Sequence, residues 1–371
     1  MKFDLSQRRM YLLALIVLLV AIALLCVWRF WLVNATGGNT APAASALPSA
    51  SPGARATELA LDATIAPTAT SGKEASGGVD TVVYFQDNYG YLVPVMMSVP
   101  LEEGIAKATL SMMVKSSAND MQAARLGLRT VIPEDVSMDL DIANGKARID
   151  LSKEAMNVAD AAAEQNMIAA IVQTLTEFDT VQSVEFLFGG QKVEKLKFGT
   201  DVSGAFTRGD INLETTSVAT SASSGMKKLT LFFPGESGSV VVPVTRMVYS
   251  DPDINTAVLE LTKGPISDAL DEVMPDGCGL IGVSVDKGVA KVNFTKEFMQ
   301  IVNHVDGGRI ALKALVLTCT QFEGVNSVQL LVEGEPYDPG TGTLSVPSFA
   351  NVAGDIESDY IQTQSSAIFG D

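Results

Sequence analysis

The chain carries the same long text twice, and a duplication of this length limits the fold to two similar modules in series. Between Thr81–Gly190 and Lys228–Gly334 the landmarks recur in order. Tyr84-Phe85 answers Phe232-Phe233, and Val93-Pro94-Val95 answers Val242-Pro243-Val244. Asn144-Gly145 answers Lys287-Gly288, and Leu151-Ser-Lys-Glu154 answers Phe294-Thr-Lys-Glu297. A Thr-x-Thr-x-Phe-x-x-Val-x-Ser-Val signature runs from Thr174 through Phe178 to Val184, and again from Thr318 through Phe322 to Val328. A unit of more than about 100 residues is a duplicated domain and not a solenoid repeat. Residues kept in both repeats serve what both repeats do, and almost none of them can act as acid, base, nucleophile or metal ligand.

The N-terminus sets the compartment. Met10–Trp28 is almost wholly apolar and Phe30–Val33 extends it past Arg29, enough to cross a hydrocarbon core of about 30 Å. Lys2, Arg8 and Arg9 precede this stretch, and Trp28 and Trp31 sit at its far end, where amphipathic rings favour the interface. A single-pass anchor is expected over 10–33, with residues 1–9 cytoplasmic and the rest outside the cell membrane. A signal peptide cleaved within 35–41 is the competing reading, although the apolar stretch is long for one. Residues 34–78 are Ala, Ser, Thr, Pro and Gly with little else, a composition too poor in apolar surface to offset its ordering entropy, and read as a flexible tether.

Two domains are expected beyond it, at 79–198 and 226–336, joined by a linker at 199–225 and followed by a tail at 337–371. Phe198–Leu213 is open between packing on either domain, and the tail between wrapping onto the second repeat and hanging free. The balance of 26 basic against 43 acidic residues, net −17, repels phosphate and excludes nucleic acid as a partner.

Within each repeat the hydrophobic periods alternate between strand and helix. Val82–Phe85 and Tyr91–Met96 read as a hairpin, echoed by Leu229–Phe233 and Val240–Val244. A helix follows, with Ile105, Thr109, Met112 and Met113 on one face in the first repeat and Ile254, Val258 and Leu261 in the second. Asp253 is positioned to cap the latter and Gly264-Pro265 to stop it. Ser137–Leu151 and Leu280–Phe294 read as second hairpins turning at Gly145 and Gly288. The next helix carries Met167, Ile171, Leu175 and Phe178 in one repeat, and Ala311, Leu315, Cys319 and Phe322 in the other. Val184–Phe188 and Val328–Val332 are apolar, β-prone inner strands. The expectation is an α+β fold, β-β-α-β-β-α-β per repeat, with the helices on one face of a single mixed sheet.

Chemistry is hard to find. The one histidine, His304, falls in a polar turn and has no counterpart in the first repeat. Cys278 and Cys319 could bond in an oxidising compartment, but Cys319 takes the place of core Leu175 and reads as a buried thiol. No GxGxxG follows a predicted strand, no Walker-type GxxxxGK[ST] occurs, and no Cys/His spacing suits zinc. Gly235-Glu-Ser-Gly-Ser239 lacks the last glycine of a nucleophile elbow and sits in a predicted turn. No catalytic, cofactor-binding or metal residue is expected.

The repeated elements together resemble the GerMN domain family. The resemblance rests on Pro94 and Pro243 in the Val-Pro-Val strands, the Gly264-Pro265 helix stop, the turn glycines Gly145 and Gly288, and Thr174, Phe178, Val184 with Thr318, Phe322, Val328. The first repeat has Lys115-Ser-Ser where the second has Lys263-Gly-Pro. The resemblance implies a non-enzymatic envelope protein of endospore-forming bacteria. It would work between mother-cell and forespore membranes with other envelope or sporulation-complex proteins as partners, and with self-association possible, since GerMN domains are similar to ring-building modules of secretion systems. A ligand-binding module for cell-wall glycan or a small solute is the alternative, motivated by the tether and the acidic domains.

Overall fold

The computed structural model describes residues 78–100, 104–214, 225–304, 306–340, 344–347 and 349–355. The expected anchor at 10–33 and all of the tether but Gly78 lie outside the described residues. No helix among the described residues is long and apolar enough to cross a membrane.

The first repeat runs β1 (Gly78–Gln86), β2 (Leu92–Pro100), α1 (Ile105–Ser111), α2 (Ser117–Arg125), β3 (Met138–Ala143), β4 (Lys146–Leu151), a 3-10 turn (Lys153–Met156), α3 (Ala161–Leu175) and β5 (Ser183–Phe188). Two short strands follow, β6 (Ala205–Phe206) and β7 (Leu213–Glu214). The second repeat runs β8 (Lys227–Pro234), β9 (Val241–Val248), α4 (Ile254–Leu261), β10 (Leu280–Asp286), β11 (Val289–Phe294), a 3-10 segment (Lys296–Asn303), α5 (Arg309–Thr320) and β12 (Ser327–Val332). After it come β13 (Glu335–Pro336) and β14 (Leu344–Ser345). The expected element order is present in both, and the fold is mixed α+β.

Three differences from expectation have physical causes. First, each repeat holds two sheets and not one. β1 and β2 form a two-stranded sheet of their own, while β3-β4-β5-β6 form a separate mixed sheet in which β4 and β5 are parallel. In the second repeat β8 and β9 likewise stand apart from β10-β11-β12. The long helices touch both sheets, α3 meeting β1 and β5, and α5 meeting β8 and β12. Helix α3 accordingly buries side chains around most of its circumference, from Met167 and Ile168 to Val172 and Leu175, as a helix covered on two sides must.

Second, α2 has no counterpart in the second repeat. Ser116, which stands where the other repeat has Gly264, is its N-cap and accepts a hydrogen bond from the Asn119 amide. Gly264, at φ 73°, instead leaves the helical region and ends α4. The difference between the repeats at this point is thus a cap in one and a stop in the other. Third, α1 and the turn after it bury Ala106, Thr109, Leu110 and Met113, a stripe rotated from the expected one and leaving Ile105 half-buried. Asp253 caps α4 as expected, accepting from the Thr256 amide at 2.7 Å.

The buried apolar side chains of the two repeats do not form two cores. They belong to one continuous cluster that includes Val93 and Val95 of β2, Val242 and Val244 of β9, and both long helices.

Candidate functional site

Each repeated residue has a definite structural place. Thr174 and Thr318 are fully buried on α3 and α5, and their hydroxyls accept the backbone amides of Tyr84 (3.3 Å) and Phe232 (3.2 Å). Those two strand residues lie opposite Pro94 and Pro243. The amide that would be lost at each proline has no ladder partner to serve, because the residue across from it bonds to a helix. Gly145 and Gly288 take φ 78° and 82° after Asn144 and Lys287 at 53° and 49°, the two left-handed residues of a primed hairpin turn. Their carbonyls then accept the amides that start β5 and β12, from Gln182 and Ser183 and from Asn326 and Ser327. Val184 and Val328 are fully buried, while Phe178 and Phe322 lie half-buried just past the helix ends. Pro265 is half-buried after the stop glycine.

The seam between the repeats is where polar chemistry concentrates. Residues 199–225 were expected as a linker, but the described part packs on both repeats. β6 adds to β5 of its own sheet, and β7 then crosses over and pairs in parallel with β9 of the second repeat. The tail does the same in reverse. β14 adds to β12, and Val352 then crosses over to pair in parallel with Met96 of β2. The two repeats therefore exchange arms, and each arm places an asparagine at the equivalent point. Asn212 donates to the carbonyls of Leu92 (2.8 Å) and Pro243 (2.7 Å) and accepts the Leu92 amide. Asn351 donates to Val241 (2.7 Å) and Pro94 (3.0 Å) and accepts the Val241 amide. Leu92 and Val241, like Pro94 and Pro243, are equivalent positions, so the contacts are reciprocal, the pattern a two-fold relation imposes. The Val-Pro-Val strands face one another here, bridged by two carboxamides whose donors and acceptor are all used.

The arms differ in their fastening. The first is tied to α3 before it crosses. Arg208 pairs with Glu177 at 2.5 Å and donates to the Tyr84 hydroxyl, and Gln173 donates to the Gly209 carbonyl. After crossing, Glu214 is buried and takes Arg246 through Nε at 2.6 Å and a second nitrogen at 3.1 Å, together with the Ile266 amide. Arg246 also donates to the carbonyls of Glu260 and Gly264 and lies over the Phe233 ring. Stop glycine Gly264 is thereby part of a bidentate buried ion-pair site. In the second arm the equivalent of Glu214 is Ala353, and Met97 stands where β9 has Arg246. A cavity of about 290 Å³ lies where that arm, at Leu344, Ser345 and Pro347, passes Arg309, Leu312, Lys313 and Val316 of α5.

Among the described residues no cluster of three or more His, Cys, Asp or Glu is placed to hold a metal ion. His304 is in the turn before α5. Cys278 and Cys319 are free thiols, both pushed up to about 12 by burial. A cleft of about 230 Å³ opens across the seam between Asp87, Asn88 and Gly127 of the first repeat and Gly235, Glu236, Ser237 and Val240 of the second. Asp87 is buried and accepts the Tyr89 and Tyr91 amides through Oδ1, while Oδ2 has no hydrogen-bond partner among the described residues; burial raises its carboxyl above the usual range. Tyr89 reaches across to Glu236 at 3.0 Å.

The arm exchange has no strong sequence signal. Ile211-Asn-Leu213 and Ala350-Asn-Val352 are short, and their offsets from the Val-Pro-Val strands are similar but not equal, 120 and 110 residues.

The profile of the Germane family, described as sporulation and spore germination, matches residues 82–194 and 230–338. The spore germination protein GerM of Bacillus subtilis (strain 168) is 28% identical over 273 residues, 71% of this chain and 74% of that protein. The solved tandem GerMN domains of the sporulation protein GerM from Bacillus subtilis superpose with a TM-score of 0.59 at 26% identity, covering 74% of this chain and 99% of theirs. With both repeats matched and the tandem arrangement reproduced, the chain belongs to the Germane family and carries two GerMN domains like those of GerM.

Proposed function

We propose that this chain is a non-enzymatic, membrane-anchored assembly protein of the cell envelope that acts in sporulation and spore germination, holding its two GerMN domains outside the membrane on a tether. The observation that carries the reading is how the buried polar groups are used. Thr174, Thr318, Asn351, Glu214 and Arg246 spend their hydrogen bonds on joining elements and repeats, leaving a rigid body that presents surface and not a reactive centre. The apolar stretch at 10–33 supplies the anchor, and the acidic surface directs the domains toward protein partners and away from anionic polymers. Partners are other envelope or sporulation-complex proteins. The test is the yield of heat-resistant spores after in-frame deletion of the gene. The expected result is a drop restored by the wild-type chain and by a His304→Ala chain. Unchanged yield in a strain without a paralogue overturns the sporulation role, and failure of the His304 variant alone overturns the non-enzymatic one.

One observation favours a second reading, a small-solute or wall-fragment site. The seam cleft holds a carboxylate oxygen, Asp87 Oδ2, that has no hydrogen-bond partner among the described residues. Calorimetric titration of the full chain with wall fragments decides it, and a signal lost in Asp87→Asn is the result this second reading requires.

A further inference from the structure

We propose that the β2 edge of the first repeat is a socket that reads an extended apolar-Asn-apolar segment, and that the arm of another molecule of this chain can fill it in place of the chain's own. Two occupants of such an edge are already present. Ile211-Asn-Leu213 on β9 and Ala350-Asn-Val352 on β2 use the same three side-chain hydrogen bonds and a parallel backbone pairing of the residue after the asparagine. In strand-addition recognition the main chain gives affinity and selected side chains give specificity. Here the selecting group is a carboxamide, which alone presents two donors and an acceptor to the Val241 amide, the Val241 carbonyl and the Pro94 carbonyl. A carboxylate has no donors for those carbonyls, and an alkyl group leaves all of them unpaired.

Of the two arms, the C-terminal one is the exchangeable one. The first is fastened by Arg208 to Glu177 before it crosses and by Glu214 to Arg246 after. The second has Ala353 and Met97 at the latter place and passes α5 over a cavity. Beyond the crossing, the contacts that seat it include those of Asn351, buried Ala350, and the Met96 amide bonded at 2.8 Å to the Asn351 carbonyl. A tethered arm enjoys a millimolar-scale effective concentration, so exchange requires molecules crowded together, as on a shared membrane. The partner is chemically identical, and the swapped contacts are those of the closed chain. This inference deepens the assembly role by naming one partner. It is read in vitro, so its failure leaves a role in spores standing.

The experiment titrates a fluorescent peptide of residues 344–355 into the full chain carrying Asn351→Ala, into the wild-type chain, and repeats both with a peptide in which that asparagine is alanine. The expected result is saturable binding to the variant at least tenfold tighter than to the wild-type chain, and at least tenfold weaker binding of the alanine peptide. Absence of binding, or equal binding of the two peptides, overturns the socket. Because Asn351→Ala also removes a bridge between the repeats, a second chain lacking residues 346–348 keeps asparagine but cannot reach its own socket. It should form a concentration-dependent dimer with a Met96 amide protected from hydrogen exchange. A monomer with that amide unprotected at every concentration overturns exchange with another molecule.

Discussion

Thr174 and Thr318 give the repeated signature its physical meaning at the scale of the residue. A threonine is a modest helix former, and its hydroxyl more often turns back on its own helix. Here each hydroxyl receives a strand amide that faces away from its ladder, at a non-hydrogen-bonded pair where a proline is tolerated opposite. Thr174→Val and Thr318→Val strand a buried amide, at an expected cost of about 1–3 kcal/mol each in denaturant unfolding. The serine variants keep the bond and should lose only about 1 kcal/mol of methyl burial. Glu164 is a second such residue, fully buried in the first turn of α3. Burial works to raise its carboxyl, but donors on Thr200 and the Phe198 amide prevail and hold it below the usual glutamate value. A carboxyl lowered on folding stabilises the folded state above its unfolded pKa and ceases to do so as pH falls through the folded one. Thermal unfolding should therefore show stability falling on the acid side of the glutamate range, and Glu164→Gln should lower stability at pH 7 while flattening that acid limb.

Between elements, the strongest single link is the one the two repeats do not share. Glu214 of the first arm and Arg246 of β9 are both buried and bidentate. Removing one partner of such a pair leaves an uncompensated charge, so Arg246→Met is expected to cost about 3–5 kcal/mol. The other repeat already contains the neutral solution, with Met97 and Ala353 in these places. Combining Arg246→Met with Glu214→Ala should recover most of the loss, because well-packed apolar replacement of a buried pair is often close to neutral. Equal losses in the single and double variants, measured by urea unfolding, would show that packing and not charge dominates there.

For the molecule as a whole, the exchanged arms make each repeat depend on the chain of the other. The apolar core runs across the seam, and both asparagine bridges bond to β2 and β9 together. The two domains are expected to unfold in a single transition. Hydrogen exchange at Tyr84 and Phe232, one reporter per repeat, should give the same opening free energy within about 1 kcal/mol. Both tryptophans lie at 28 and 31, outside the domains, so amide exchange is the suitable probe. Asn351→Ala should separate the two reporters, with the β2 side opening at lower denaturant.

Short-range physics is legible in the chain before it folds. Alternation and 3.6-residue periods located the strands and helices, Asn144-Gly145 and Lys287-Gly288 dictated the turns, Asp253 its cap, and the repetition the tandem architecture. Local periodicity could not say that the first hairpin forms its own sheet, since an apolar stripe does not name the surface that covers it. Nor could it show that segments after each repeat cross over. Asn212 and Asn351 are ordinary polar residues in turn-rich text, and what makes them matter is a pair of strand edges more than 100 residues away. Arm exchange and the shared core are long-range choices, settled only when the folded chain brings unpaired backbone groups of one repeat against the side chains that satisfy them from the other.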